Sequence, residues 1–241
     1  MPQAILWGAV SGSAVLIGAL LSLYVPIKKK VMGYIMSFGT GVLMGAAAYE
    51  LLGESVEKAG ITPIIIGFLS GAIIFTIFDV IITKKGGHSR KRSSQQSRPE
   101  SGLGIFFGTV MDAIPESIMI GASLLVNHSV SWLLVIAIFI SNIPEGLSST
   151  AGLKKSGYST KKVLFLWSSV IVVSMLSSLG GYVFLNGASE FTMAVIASFA
   201  GGGIVAMLAS TMMPEAFEEG GPVVGFIASL GLLVSLILSH V

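Results

Sequence analysis

The chain has 241 residues, of which 53% are apolar and only 11% charged, and its mean hydropathy is +0.88. So little charge excludes an ordinary soluble domain of this length, and the lack of cysteine excludes disulfides and thiolate metal sites. A formal net charge of +2, gathered in a few short loops, reports membrane topology and not a nucleic-acid-binding surface.

A bilayer-spanning helix needs about 20 apolar residues. Eight such stretches follow one another, at approximately 4–25, 31–52, 61–83, 104–126, 131–152, 163–185, 191–213 and 222–240. The expected fold is therefore an all-α, polytopic single transmembrane domain over 1–241. The first stretch is too long for the apolar part of a signal peptide and is followed by Lys28, Lys29 and Lys30, so it reads as a membrane helix. Lys84, Lys85, Arg90, Lys91, Arg92 and Arg98 follow the third stretch, and Lys154, Lys155, Lys161 and Lys162 follow the fifth. With eight spans these three basic loops share one side, and only Lys58 falls on the other. The positive-inside rule then predicts a multi-pass protein of the cell membrane with cytoplasmic basic loops and both termini extracytoplasmic. Segment 84–103 is basic and nearly free of apolar residues, and it reads as a flexible cytoplasmic loop dividing three helices from five.

Two internal echoes appear. Asp112-Ala-Ile-Pro-Glu-Ser117 in the fourth helix is matched by Ser141-Asn-Ile-Pro-Glu-Gly146 in the fifth. Gly41 to Gly60 can be laid over Gly202 to Gly221, which aligns Ala48 with Ala209, Glu54 with Glu215 and Glu57 with Glu218. The helices carrying this second match run in opposite directions, so an inverted repeat of helices 1–3 and 6–8 around helices 4 and 5 is expected.

Charge inside the apolar segments carries the functional reading. Asp112 and Glu116 lie mid-helix in the fourth segment and Glu145 just past the middle of the fifth. Each costs about 2.5–3.5 kcal/mol at such a depth, and no Lys or Arg lies in any hydrophobic segment to neutralise them. A bound divalent cation would serve all three. Asp112 and Glu116 are four apart on one helical face, as are Ser141 and Glu145, and the short connection makes the two helices antiparallel neighbours. Facing each other, they would gather three carboxylates, a hydroxyl and the Asn142 amide. Pro115 and Pro144 lack an N–H, so the carbonyls of Met111 and Ile140 are released as further oxygen donors. Glu50 and Glu54 near one end of helix 2, Glu215 near the other end of helix 7, and His128 in the loop after helix 4 are candidate pathway residues. Glu57, Glu218 and Glu219 read as solvated helix ends.

These motifs resemble the helix 4 and helix 5 signatures of the ZIP (Zrt/Irt-like protein) metal transporters. The resemblance extends to Tyr49-Glu-Leu-Leu-Gly-Glu-Ser55 in helix 2 and Met213-Pro-Glu-Ala216 in helix 7. It implies an eight-helix fold, often a homodimer, embedded in the lipid bilayer, and uptake of a divalent metal ion (zinc, manganese, iron or a similar cation) with no prosthetic group. It also implies that Asp112, Glu116, Ser141, Asn142 and Glu145 occupy ligand positions. Several family histidines are replaced: Asp112, Ser141 and Tyr49 stand where histidine is usual. An oxygen-rich set favours harder ions than a nitrogen- or sulfur-containing one. No HExxH and no Ser/His or Ser/Lys arrangement lies within the segments, which argues against an enzyme. The alternative reading is a membrane metal sensor or scaffold that no longer transports.

Overall fold

In a bilayer the backbone has no water to bond with, so each apolar run closes its own hydrogen bonds as a helix. The computed structural model describes residues 1–82, 101–126 and 129–240, and among them every regular element is helical. The helices are α1 (Pro2–Tyr24), α2 (Lys29–Ala59), α3 (Ile61–Ile82), α4 (Ser101–Val126), α5 (Trp132–Lys155), α6 (Thr160–Phe184), α7 (Glu190–Gly220) and α8 (Val224–Leu238). The first seven are long and apolar enough to cross a membrane. The eighth has 15 residues, about 22 Å of helix against a hydrocarbon core of about 30 Å. Most of the basic segment 84–103, and His128, lie outside the described residues.

Ser131, Ser159 and Ser189 cap α5, α6 and α7, each hydroxyl accepting the N–H of the third residue on. Pro115 and Pro144 sit inside α4 and α5, which continue through them. Helices α2 and α7 each run seven residues beyond the apolar stretch seen in the sequence (52 to 59, 213 to 220). Their added turns carry Glu54 and Glu215, which lower the hydropathy without interrupting the helix, and both helices contain a π-helical turn, Ala47–Gly53 and Leu208–Met212.

The same shift of 161 residues carries Lys29 to Glu190, Ala47 to Leu208, Ala59 to Gly220, and the left-handed Gly60 (φ 75°) to Gly221 (φ 73°). The N-terminus of α2 meets the C-terminus of α7 at the Lys29–Glu219 ion pair (3.3 Å), so the related helices are antiparallel and the repeat is inverted. Glycines set its contacts. Gly41 of α2 lies against the Ala228 carbonyl of α8, and Gly231 against that of Phe38. Symmetrically, Gly202 of α7 lies against the Phe68 carbonyl of α3, and Gly71 against that of Phe199. A side chain at any of the four would strike backbone. Without a hydrophobic drive between lipid-immersed helices, such close approach supplies the packing energy.

The central helices follow suit. On α5, Gly146 packs on the Val15 carbonyl of α1, and Gly18 on that of Ile143; on α4, Gly121 packs on Ser178 of α6, and Gly181 on Ile118. These contacts relate α4 to α5 by 25 residues (118 to 143), whereas the two Pro-Glu motifs are 29 apart (116 to 145). The motif echo is therefore displaced by one helical turn from the symmetry of the fold, and Glu116 corresponds in place to Ser141, not to Glu145.

Candidate cation site

Helix α5 is the most enclosed of the long helices, and its polar residues face inward. Ser141, Asn142, Glu145, Ser148, Ser149 and Thr150 are all buried, as are Asp112 and Glu116 on α4. Glu116 and Glu145 are each only 2% exposed. The Ser141 hydroxyl donates to the Ile138 carbonyl at 3.0 Å, which leaves its oxygen lone pairs available.

Gly152 of α5 lies near the Cδ1 of Ile105 on α4, and at the opposite end the Ser131 N–H donates to Ser123 Oγ at 3.1 Å, so the two helices run antiparallel. Asp112, Glu116, Ser141, Asn142 and Glu145 are thus buried on two antiparallel helices. No three His, Asp or Glu side chains enclose a metal position among the described residues.

The prolines face other surroundings. The Ile140 carbonyl, opposite Pro144, lies beside Gly39 of α2, where an added Cβ would approach it to 3.3 Å. Met111 and Pro115 line an apolar crevice of about 180 Å³ shared with α3 and α7.

The bundle has an acidic end, with Glu50, Glu54, Glu57 and Glu190, and a basic end, with Lys28 to Lys30 and Lys154, Lys155, Lys161 and Lys162. At the acidic end a cavity of about 400 Å³ opens between α2, α4, α5 and α7. Glu50, Glu54, Lys58, Ser131 and Glu190 line it, and its buried wall includes Leu51, Met119 and Leu134. Met119 is three residues from Glu116, so the cavity reaches within about one helical turn of that carboxylate. Ser131 donates to Glu50 at 2.7 Å, and Lys58 pairs with Glu54 at 2.7 Å.

At the basic end, buried Ser148 donates to buried Glu215 of α7. Of the residues read as solvated ends, Glu57 and Glu218 are exposed, but the Glu219 side chain is only 6% exposed because it turns toward Lys29. Ser131 and Ser148 were not singled out from sequence. The signal for Ser148 was its seven-residue spacing from Ser141 on the carboxylate face; for Ser131, its place just before a helix.

Fold and site together define an all-α multi-pass membrane protein with carboxylates enclosed among its helices. No protein-family model matches the chain. It is similar to an Arabidopsis thaliana protein named "Putative zinc transporter At3g08650", with 24% identity over 211 residues, or 86% of this chain and 33% of that protein. The chain thus spans about a third of the length of that relative.

Proposed function

We propose that this protein moves a divalent metal cation through the bilayer by alternating access, after the manner of the ZIP transporters, with Asp112, Glu116, Ser141, Asn142 and Glu145 as its ligands. The observation that carries the reading is the burial of Asp112, Glu116 and Glu145 within membrane helices, with Glu116 about one turn from a carboxylate-lined cavity. The relative named a zinc transporter supports metal as the cargo.

The sequence of events follows from the charges. Glu50, Glu54 and Glu190 concentrate cations in the cavity. The ion then loses water to Asp112, Glu116 and Glu145, where its charge offsets that of the buried carboxylates. It leaves past Ser148 and Glu215 at the basic end. By the positive-inside rule that end is cytoplasmic, and the direction is uptake. The donor set is all oxygen, which suits manganese, ferrous iron or magnesium better than a thiolate or imidazole set would. Protons compete with metal for carboxylates, so uptake falls as the pH on the cavity side is lowered.

Purified protein in vesicles, tested with zinc and manganese, decides the matter. Saturable uptake by the wild type and its loss in Glu116→Ala and Glu145→Ala are expected; equal uptake by all three would remove the site.

A further inference from the structure

No acidic residue lies between Glu145 and Glu190, yet that stretch holds Lys154, Lys155, Lys161 and Lys162. These lysines flank the turn between α5 and α6, and all four are exposed. None forms an ion pair with a described residue, whereas Lys29, on the other basic turn, is answered by Glu219. Like charges gathered on one turn repel, and an anion from outside the chain relieves the repulsion.

The turn holds its lysines in place. The Ser156 N–H donates to the Gly152 carbonyl and the Tyr158 N–H to that of Leu153, with the left-handed Gly157 (φ 84°) between them. Lys154 donates across the turn to Thr160 Oγ1 at 3.2 Å, and the Lys162 ammonium lies 4.3 Å from the centre of the Tyr158 ring. Behind them the buried Trp167 indole of α6 donates to Thr150 of α5 at 2.8 Å. An ammonium has three donors, so these contacts orient the lysines and still leave N–H groups for a ligand. A turn ordered in advance loses little entropy on binding one.

The same face of α6 becomes apolar one turn further on. Lys161, Phe165, Val172 and Leu176 share one helical stripe, and all are exposed. From Lys161 to Val172 the helix rises about 16 Å, close to half of the hydrocarbon core of about 30 Å. A cationic cluster that leads into an apolar stripe one leaflet deep matches a molecule with an anionic head and a long apolar tail. We infer that the α5–α6 turn and the adjoining face of α6 bind an anionic phospholipid, with its phosphate on the lysines and an acyl chain along the stripe. The inference does not depend on the cargo.

The test compares acyl-tagged phosphatidylglycerol and phosphatidylcholine in equilibrium binding to the full chain in neutral detergent. Phosphatidylglycerol should bind at least about tenfold more tightly at low salt, and the preference should shrink as ionic strength rises. Lys→Gln at the four positions should reduce the preference to less than about twofold, whereas Lys→Arg at all four should keep it. Lys28→Gln with Lys30→Gln, on the other basic turn, should leave it nearly intact. Phe165→Ala should weaken both lipids alike, by about threefold, because it removes apolar contact without touching charge. Equal binding of the two lipids by the wild type, or a preference that survives in the fourfold glutamine variant, overturns the inference. Displacement of the lipid by millimolar inorganic phosphate also overturns it, since the lysines would then hold any anion and the stripe would add nothing. If the fourfold variant does not fold, Lys161→Gln decides in its place: about a threefold loss of preference is expected, and no loss overturns the site.

Discussion

At one end of α5 the Ser131 hydroxyl meets Glu50 of α2 beside a cavity of about 400 Å³; at the other, Ser148 meets Glu215 of α7 with both side chains buried. The chemistry is the same, a hydroxyl of α5 donating to a carboxylate on one of the two repeat-related helices. The surroundings differ. Beside Glu50 there is room for a hydrated ion, whereas Glu215 is enclosed by protein. The inverted repeat makes α2 and α7 counterparts, so a packing available to one end is available in principle to the other. In the proposed cycle the bundle is open at its acidic end, and the Ser148–Glu215 contact is among those that must part for the ion to leave.

The largest effect expected from this contrast is in chemical accessibility, and the lack of cysteine makes it clean to measure. Ser123 borders the cavity, whereas Ser149 is fully buried. A water-soluble maleimide should label Ser123→Cys at least about 100-fold faster than Ser149→Cys, because thiol reactivity follows access. Comparable rates would mean that the two ends are equally open. Next in size is the loss of one hydroxyl. Ser148→Ala withdraws a donor from a buried carboxylate, at a cost of about 1–3 kcal/mol to the closed packing. Added to Ser149→Cys, it should raise labelling of that cysteine about tenfold. Ser131→Ala also removes the α5 cap, at about 1 kcal/mol. Water can replace the hydroxyl at Glu50, however, and Ser123 already borders the open cavity, so labelling of Ser123→Cys should change by less than about twofold. If both alanines act alike, the difference between wet and buried contacts is not what separates the ends.

The helices and their inverted repeat were legible because both rest on local signals: apolar length, basic loops, and the match of Gly41–Gly60 with Gly202–Gly221. The extensions of α2 and α7 were not, since Glu54 and Glu215 resemble helix-ending polarity until a partner is known. The carboxylates of α4 and α5 could be read from depth and four-residue spacing. Their place in the symmetry of the fold could not. The motif echo suggests a symmetry one turn away from that of the glycine contacts. Likewise, Ser148 and Glu215 are 67 residues apart, and only the glycine-set crossings of the bundle decide that they meet. Lys29 and Glu219 repeat the lesson at the surface: a residue that looks solvated in sequence is held because its helix end is packed against another.

The smallest expected effect concerns Lys58, the one basic side chain among the described residues lining the cavity. Its pair with Glu54 spans one helical turn, with both side chains more than 40% exposed. Such a pair contributes about 0.5 kcal/mol or less to stability, so Lys58→Met should leave the melting temperature within about 1 °C. The charge acts differently on an arriving cation. Lys58 offsets part of the field of Glu50, Glu54 and Glu190, and it occupies Glu54 directly. Its removal should lower KM for Mn²⁺ about two- to threefold at low salt and leave maximal uptake unchanged, with the difference shrinking as ionic strength rises. A change in maximal rate instead of KM would place Lys58 in the moving parts of the protein. No change in either would mean that the cavity at the acidic end does not gather the ion, and the contrast between the two ends of α5 would then concern packing alone.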